Sequence, residues 1–427
     1  IFGSNGTLYM APNTLYKVLK GYNVSTTESG TGGTYIPRME GTVAFPYILT
    51  GGTIELAGSG PNHGFQTLRG DDALYDYVNI KFSGNNTLGV DYKNLSAQTE
   101  IDSALFVTEN AVVDCITTGA GVAVSFVGNG GLNMSDNGRL RIKKVGTTNP
   151  ELQGIATAYT LTGGTVEFYG TSATQQQLIR GSYNSGNNRV SYYNVEVNAL
   201  ASNFSNVSDA GNANAAQSFG VQSKIEVYPP AVLRLDEADF VEGAGNFIIN
   251  PGAGLLYGSV NGIKTSGTGT SDGNIRVSGT RTLSSDANYG FVGSANMVSG
   301  NGLPATVNGL FVYKSNTGNV TASGNRVTLT NPVQADSVLK MLQGHIVTGV
   351  NRVELGESIT NKGMLDYTSG YVVGNMRRWL NGTNSGNATG LFPMGQDTAN
   401  ALQNRHYRIE YTSAPGSGGY LDVFFKN

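Results

Sequence analysis

Two groups of carboxylates come nearest to catalytic chemistry in this 427-residue chain. They are Asp71-Asp72 with Asp76, and Asp236-Glu237 with Asp239. Paired carboxylates can act as general acid and base on a glycosidic bond, and a cluster of them can hold Ca²⁺. Adjacent strand residues point to opposite faces, however, and aspartates among turn residues normally bond their own backbone. We therefore expect structural roles for both groups, and a structural calcium ion is the one cofactor left open.

Nucleophilic, metal and phosphate chemistry have little support in the sequence. The histidines His63, His345 and His406 are far apart and have no Ser or Cys elbow motif beside them, so lone surface or edge histidines are expected. Cys115 is alone, so a disulfide framework or a cysteine-based metal site is excluded. The Gly-Thr-Gly-Thr-Ser run at 267–271 lacks the Lys-Ser/Thr and helix of a phosphate loop. No catalytic, cofactor-binding or metal-binding residue is assigned.

Tyrosine offers a binding chemistry instead, with 22 residues in the chain. Aromatic rings on a flat β-face can stack on sugar rings. The candidates for glycan stacking are Tyr75, Tyr192 and Tyr193. The alternative is a ladder of tyrosines that stack on one another between successive turns of the fold. Tyr77 and Tyr192 occupy equivalent positions of an internal repeat, which favours the ladder for them.

The candidate residues lie in a chain with an internal sequence repeat, and the fold of that repeat must position them. The segment Leu-Thr-Gly-Gly-Thr-Val-Glu-Phe-Tyr-Gly at 161–170 has an earlier copy, Leu-Thr-Gly-Gly-Thr-Ile-Glu-Leu-Ala-Gly, at 49–58, which gives a period of 112 residues. In each copy a Gly-Gly turn precedes a strand with apolar residues at alternate positions, so one face is buried and the other carries Thr and Glu. Two later stretches also recur: 77–82 returns at 192–197, and 274–279 matches 79–84. A long internal repeat indicates a fold made of stacked units.

Composition agrees with a repetitive β-fold. Glycine makes up 60 of 427 residues, about twice its usual share, and charged residues are 13% against a usual value of about 25%. The net charge of −3 and the scattered Lys and Arg exclude a nucleic-acid-binding stripe. There is no apolar run of about 18 residues, so no membrane span is expected. Because the chain opens inside an apparent strand, we expect a mature or trimmed protein.

Short strands recur every 10 to 15 residues from 49 to about 300, and helical periodicity over three turns is absent. The stretch 13–20 suits either a short helix or a strand. A β-sandwich also has regular short strands, but the long repeat favours a solenoid whose turns stack on one another. Two alternating strands at 407–411 and 420–425 then predict a terminal cap or the start of a sandwich. Trp379 is expected at the junction.

The repeated segments resemble the β-helical cell-surface proteins that are exported by the type IX secretion system, which include the gliding-motility adhesins. Further matching segments are 288–293, 302–304, 339–349, 374–378 and 392–395. The resemblance covers most of the chain through short structural motifs. It implies a right-handed parallel β-helix, an extracellular location at the cell surface of a bacterium with an outer membrane, and a role in attachment or as a stalk. The implied partners are a surface glycan or substratum and proteins of the export and motility machinery.

Two further expectations rest on this resemblance. The export signal and the C-terminal sorting domain of such cargo are not in this sequence, which suggests a fragment. Three tripeptides match the Asp-Ser/Thr-apolar pattern that these bacteria use for O-glycosylation. Their candidate acceptors are Ser103, Ser337 and Thr398.

We therefore predict an all-β protein, with a right-handed parallel β-helix over 1–380 and an antiparallel β-cap or partial β-sandwich over 381–427. The predicted function is a non-catalytic extracellular adhesin or stalk. One alternative is a polysaccharide lyase or glycosidase on a β-helix, which requires at least three carboxylates, or Asp with Arg or Lys, converging on one groove. The other is a carbohydrate-binding module, which requires outward-facing tyrosines.

Overall fold

The computed structural model is built almost wholly of β-strands. It describes residues 8–19, 47–58, 66–68, 76–88, 91–95, 98–117, 123–124, 126–143, 145, 158–170, 177–183, 188–198, 204–208, 218–314, 325–380, 390–397, 402–409 and 418–425. These residues contain 41 strands and one 3-10 turn, Thr270–Asp272. The strands form a parallel β-solenoid of about ten turns. The all-β class and the parallel β-helix are therefore confirmed, and the sandwich alternative for the main body is wrong.

The chain divides into two compact units, Ile1–Ile225 and Glu226–Asn427. The strands up to the division are β1 (Leu8–Met10), β2 (Leu15–Val18), β3 (Tyr47–Leu49), β4 (Thr53–Leu56), β5 (Gln66–Leu68), β6 (Asp76–Phe82), β7 (Lys93–Leu95), β8 (Thr99–Val107), β9 (Val112–Thr117), β10 (Phe126–Val127), β11 (Gly131–Met134), β12 (Arg139–Ile142), β13 (Tyr159–Leu161), β14 (Thr165–Phe168), β15 (Gln177–Arg180), β16 (Ser182–Tyr183), β17 (Asn188–Arg189), β18 (Ser191–Val197), β19 (Phe204–Ser208) and β20 (Ser218–Val227). The ambiguous stretch at 13–20 thus contains a strand, β2.

Two parallel sheets organise the first unit. One has the order β13-β11-β8-β6-β4-β2, and the other contains β18-β14-β12-β9-β7-β5. From β4 to β9 successive strands alternate between the two sheets, so each of these turns adds a strand to both. Thr53 pairs with Asn79, which sets a turn of 26 residues. Aliphatic side chains stack in columns inside, for example Ile54, Ile80, Leu105 and Leu132, each at most 1% exposed. Each such side chain contributes about 1.5–3 kcal/mol on burial.

The internal repeat appears as repeated local geometry. Gly52 and Gly164 have φ of 82° and 78°, a region that favours glycine. The amide of Asn79 donates to the carbonyl oxygen of Gly52 at 2.8 Å, and that of Asn194 donates to Gly164 at 3.0 Å. The two copies of the strand nevertheless lie in different sheets, because β4 belongs to the first and β14 to the second. The motif therefore specifies a local turn and its stacking partner, and does not specify a face of the solenoid.

A second pair of equivalent side chains, Gln66 and Gln177, also makes matching hydrogen bonds in the two copies. The side-chain oxygen of Gln66 accepts from the backbone N–H of Gly58 at 2.9 Å, and that of Gln177 accepts from Gly170 at 2.8 Å. In the third, partial copy, Asn274 donates to a backbone carbonyl beside the preceding strand, as Asn79 and Asn194 do. The sequence similarity therefore marks side-chain hydrogen bonds that recur in equivalent turns of the repeat copies.

The second unit contains β21 (Val232–Leu235), β22 (Phe240–Gly243), β23 (Asn246–Ile249), β24 (Gly254–Tyr257), β25 (Ile275–Val277), β26 (Arg281–Leu283), β27 (Asn288–Phe291), β28 (Met297–Val298), β29 (Thr306–Tyr313), β30 (Arg326–Thr328), β31 (Val333–Gln343), β32 (His345–Val347), β33 (Val353–Leu355), β34 (Met364–Tyr367), β35 (Tyr371–Val373), β36 (Asn375–Leu380), β37 (Leu391–Phe392), β38 (Met394–Asp397), β39 (Leu402–Asn404), β40 (Tyr407–Arg408) and β41 (Gly419–Phe424). Its two main parallel runs are β21-β24-β27-β29-β31-β33-β36 and β28-β30-β32-β35-β38.

Antiparallel strands cover the last described turns of this unit. Strand β41 pairs antiparallel with β36, β39 with β38, and β40 with β37. Parallel pairing still continues past residue 380, since Val372 pairs with Met394. Trp379 lies opposite Tyr420 on the strand where parallel and antiparallel pairing meet. The antiparallel element was predicted, but it begins on the edge of β36 and interleaves with the last parallel turn.

Candidate functional site

Charged side chains from four turns converge on one face of the second sheet of the first unit. In the register of the sheet, Arg141 lies opposite both Asp114 and Glu167, and Glu167 lies opposite Glu196. Leu140 and Ile142, which alternate with the arginines on β12, are buried in the core. Asp114, Arg139, Arg141, Glu167 and Glu196 are called the charged ladder below.

The members of the charged ladder are paired with one another. Arg139 Nη1 lies 3.0 Å from Glu167 Oε2 and 2.6 Å from Glu196 Oε2. Arg141 Nε lies 2.8 Å from the same Glu167 oxygen, and its Nη1 bonds to Asp114. The side chains of Asp114 and Glu167 are only 4% and 6% exposed. Asp114 and Glu167 are therefore largely removed from water, and each is paired with a guanidinium of a neighbouring turn.

The pKa values of the two most buried acids, Glu167 and Asp114, are shifted in opposite directions. Burial raises the pKa of Glu167, but hydrogen bonds and charges from Arg141 and Arg139 outweigh it and hold the pKa below the ordinary value of 4.5. Burial also raises the pKa of Asp114. This effect is larger than the opposing effects of the Tyr169 hydroxyl and Arg141, so the pKa of Asp114 lies above its ordinary value. The Tyr169 hydroxyl donates to Asp114 Oδ1, and the Arg141 guanidinium lies 4.1 Å from the centre of the Tyr169 ring. An acid with a raised pKa beside a tyrosine and an arginine is a group that can exchange a proton.

The first repeat copy has the same glutamate in the same role. Glu55 occupies the position of Glu167, and its oxygens lie 3.3 Å from Lys17 Nζ and 3.0 Å from Lys81 Nζ. Lys17 and Lys81 are its register partners on the turns before and after. Ser83 Oγ donates to Glu55 at 2.7 Å. The sequence predicted that this glutamate would lie on the polar face, but it is covered by its basic neighbours.

The prediction that Tyr192 stacks on a glycan is wrong. Its ring is fully buried, packs edge-on against Phe168 and Phe219, and its hydroxyl donates to the Arg180 carbonyl at 2.9 Å. It therefore cannot meet a sugar, because it points into the core with the other aromatic rings. Tyr77 is buried in the same way. Tyr193, on the opposite face of the strand, is half-buried, and Tyr75 lies outside the described residues.

The predicted glycosylation acceptors have separate surroundings. Ser103 is exposed on β8. Ser337 is exposed on β31, and its hydroxyl donates to Asn308 Oδ1 at 2.7 Å. Thr398 lies outside the described residues.

The second carboxylate group serves turns of the backbone. Asp239 accepts from the N–H of Asp236 at 2.9 Å, and Asp236 accepts from Arg234 at 2.8 Å. Glu237 accepts from the N–H of Ala295 at 2.7 Å and from Ser294. These contacts are of the kind expected for acids that hold turns in place. In the first group, Asp71 and Asp72 lie outside the described residues, as does the side chain of Asp76.

Two histidines that are distant in sequence meet at one tyrosine. His345 is 1% exposed and stacks on Tyr371 with ring centroids 5.0 Å apart. His406 lies 5.7 Å from the same Tyr371 ring, and its Nε2 is 3.0 Å from the hydroxyl of Tyr367. The expected surface or edge position is therefore wrong for His345, because the pairing of β32 with β35 buries it against Tyr371, whereas His406 is exposed. His63 lies outside the described residues.

An aromatic surface that the sequence reading missed lies at the end of the second unit. The rings of Trp379 and Tyr420 pack edge to face with centroids 5.3 Å apart, and Tyr420 is 53% exposed. The Arg377 guanidinium lies 3.8 Å from the centre of the Tyr420 ring and binds Asp422 through bonds of 2.8 and 2.7 Å. Trp379 Nε1 donates to Glu354 at 3.0 Å. These five residues are called the Trp379 surface.

The Trp379 surface contains the types of side chain that can bind a sugar. An exposed aromatic ring can cover the C–H face of a pyranose, while carboxylates and a guanidinium bond its hydroxyl groups. The only sequence signal was the alternation in 420–424, where Tyr420, Asp422 and Phe424 share the exposed face. Pairing with β36, which brings Trp379 and Arg377 alongside, could not be read from the chain.

Within the described ranges, no group of three or more His, Cys, Asp or Glu side chains is placed to hold a metal ion. Nor does that part of the chain contain a helix with the length and apolar content needed to cross a membrane. No protein-family model, curated protein or solved structure matches this chain significantly.

Proposed function

We propose that this chain is a non-catalytic extracellular stalk or adhesin of a gliding bacterium, carried to the cell surface by type IX secretion. The observation that carries the proposal is the repeated buried glutamate. Glu55 and Glu167 occupy equivalent positions, and each binds two basic side chains of adjacent turns. Because the same buried glutamate recurs with different basic partners, we infer that it stabilises the stacking of turns. A set of catalytic residues would be required at one position only. The resemblance described above supplies the secretion route and the surface location.

The mechanical role follows from the parallel sheets. Every internal strand shares its backbone hydrogen bonds with the turn before and the turn after, so load along the stack is spread over many bonds. The charged ladder adds side-chain bonds between turns in the same direction. A stack of this kind can hold a binding surface away from the cell without a reactive site.

Attachment requires a contact surface, and the Trp379 surface is our candidate for binding a surface glycan or a polysaccharide substratum. The test is binding of the purified chain to a glycan array, followed by adhesion of protein-coated beads to the best ligand. Tyr420→Ala should reduce binding by about 5- to 150-fold, taking the loss of one aromatic stacking surface as the about 1–3 kcal/mol that such a ring contributes when a nucleobase stacks on it. Tyr407→Ala is the matched control, because Tyr407 is another exposed tyrosine of the same unit, at 46%. Absence of binding by the unaltered chain, or equal loss in both variants, would remove the adhesin proposal.

The secretion route has its own test. Cells that produce the full-length protein should display it to added protease when the type IX system is intact, and should retain it inside when the system is disrupted. Export machinery proteins would then be partners during transport. Surface display in both strains would contradict this route.

A polysaccharide-active enzyme is the second candidate, favoured by Asp114, Tyr169 and Arg141. Asp114 belongs to the charged ladder, in which three carboxylates and two arginines lie on one face of the sheet, and Tyr169 donates a hydrogen bond to Asp114. An acid with a raised pKa near a tyrosine and an arginine suits proton transfer on a uronic acid or glycosidic bond. The test is release of reducing or unsaturated ends from a panel of polysaccharides. Turnover that Asp114→Asn abolishes would replace the stalk proposal with the enzyme.

A further inference from the structure

A buried lysine lies beside an amide side chain in the connection between β6 and β7. The backbone N–H of Asp91 donates to the carbonyl of Thr87 at 2.9 Å, which closes a tight turn. Asn86 lies just before this turn and Lys93 just after it, at the start of β7. Lys93 is 0% exposed and Asp91 is 1% exposed. A lysine is rarely found at full burial in a protein, so its surroundings require an explanation.

Three side chains contact one another in this turn. Lys93 Nζ donates to Asn86 Oδ1 and, at 3.1 Å, to the backbone carbonyl of Gly58. The amide nitrogen of Asn86 donates to Asp91 Oδ2 at 3.1 Å and to the same carbonyl of Gly58 at 3.0 Å. The second oxygen of Asp91 accepts from the N–H of Thr87 at 2.8 Å. The amine, the amide and the carboxylate are therefore held together in fixed orientations.

The environment also sets the protonation of the amine. Burial lowers the pKa of Lys93 to about 7, against the opposing charges of Asp91 and Glu109. The neutral amine is then far more populated near pH 7 than in a lysine in water, where fewer than about one in a thousand are neutral. A neutral amine is a nucleophile, and the amide carbon of Asn86 lies one C=O bond, about 1.2 Å, beyond the oxygen that Nζ contacts.

We propose that Lys93 and Asn86 form an intramolecular amide cross-link, with Asp91 as the group that transfers the proton. Nζ attacks Cγ of Asn86, which forms the new C–N bond. The Cγ–Nδ2 bond then breaks, and Nδ2 leaves as ammonia. Asp91, bonded to Nδ2, accepts a proton from the attacking nitrogen and delivers it to the leaving nitrogen. The reaction joins one amine to one amide, releases one ammonia, and needs no oxidant, metal or cofactor.

The other fully buried lysine among the described side chains shows that burial alone does not produce this arrangement. Lys314 is 0% exposed, and burial lowers its pKa to about 8. Within the described residues its ammonium bonds to the backbone carbonyl of Val292, at 2.8 Å, and to no side-chain amide. The second repeat copy does not reproduce the arrangement either. Gln66 pairs with Lys93, whereas the equivalent Gln177 pairs with Ser205.

Mass spectrometry of the purified chain tests the cross-link directly. The intact mass should be lower than the sequence mass by one ammonia, about 17 Da. Trypsin cannot cleave after an acylated lysine, so cleavage at Lys93 should be lost and a single peptide covering residues 82–139 should carry the deficit. A succinimide at Asn86 loses the same mass but leaves Lys93 cleavable. Full mass, or the deficit together with cleavage after Lys93, overturns the proposal.

Variants then assign the roles. Lys93→Met and Asn86→Ala should each restore the mass expected for their sequence. Asp91→Asn keeps both partners of the bond and should leave most of the chain unlinked, whereas the control Lys314→Met should remain linked. Complete cross-linking in Asp91→Asn would show that Asp91 does not transfer the proton. If a variant does not fold, the unaltered chain still decides whether the bond exists.

Discussion

The Gly-Gly turn of the repeat provides the sharpest test of how the turns stack. Gly164 has φ of 78°, and a Cβ there would lie 2.4 Å from the carbonyl oxygen of Gly138 on the preceding turn. An L-residue in the left-handed region costs about 1–2 kcal/mol, and a forced contact in a packed region costs about 1–3 kcal/mol. The lower entropy of the unfolded alanine chain offsets about 0.4–1 kcal/mol. Gly164→Ala should therefore destabilise this turn by about 1–4.6 kcal/mol.

Amide hydrogen exchange localises this loss. The N–H of Thr165 bonds to the Gly138 carbonyl at 2.8 Å, so peptides that span β12 and β14 report the contact. Each 1.4 kcal/mol corresponds to about a tenfold faster exchange. Gly131→Ala is the control, because Gly131 has an ordinary φ and its nearest contact would be Ala158 O at 3.2 Å. Gly163→Ala isolates the clash, since its Cβ would lie 2.5 Å from Asp136 N without a positive φ. Exchange in Gly164→Ala no faster than in Gly131→Ala would refute the reasoning.

Two predictions concern buried charges. Glu167→Gln should cost about 3 kcal/mol at pH 7, because Arg139 and Arg141 lose a buried partner. The pKa of Glu167 lies below 4.5, so its contribution is present above that pH and is lost as the pH falls. Urea unfolding curves of the variant and the unaltered chain should therefore converge in acid, and a constant difference would contradict the ionic role. Burial lowers the pKa of Lys314 to about 8 from 10.5, so its protonated form opposes folding. Stability of the second unit should rise between pH 8 and 10 by up to about 1.4 kcal/mol per pH unit, followed by fluorescence of Trp379, the single tryptophan. Lys314→Met should lack this rise, and an unchanged pH dependence would show that Lys314 does not titrate in this range.

The fold was largely predictable because its signals are local. A strand that alternates apolar and polar residues has a buried face whatever its partner, and a glycine at positive φ marks the turn before it. Thr53 and Thr165 could therefore be assigned to strands of stacked parallel sheets from the repeat alone. The equivalence of Tyr77 and Tyr192 likewise predicted a shared environment, which the structure shows to be the core.

The candidate sites were mostly not predictable because their members lie on different turns. Asp114, Arg141 and Glu167 are separated by 26 or 27 residues, and they meet only because each turn has nearly that length. An insertion of one residue in either intervening turn would rotate the side chains to opposite faces. Tyr192 stayed a glycan-stacking candidate beside the favoured ladder for the complementary reason, since a tyrosine suits both faces of a strand.

The sequence by itself determined the class of fold, the turns and the in-out alternation, because backbone conformation and side-chain direction depend on neighbours in the chain. Only the tertiary structure decided which residues share a surface. The register between turns places Trp379 beside Tyr420, neutralises Glu167 with two arginines, and holds Lys93 against Asn86 away from water. The Gly-Gly turns fix where β4 and β14 start, and the number of residues in each turn of the solenoid fixes what those strands meet.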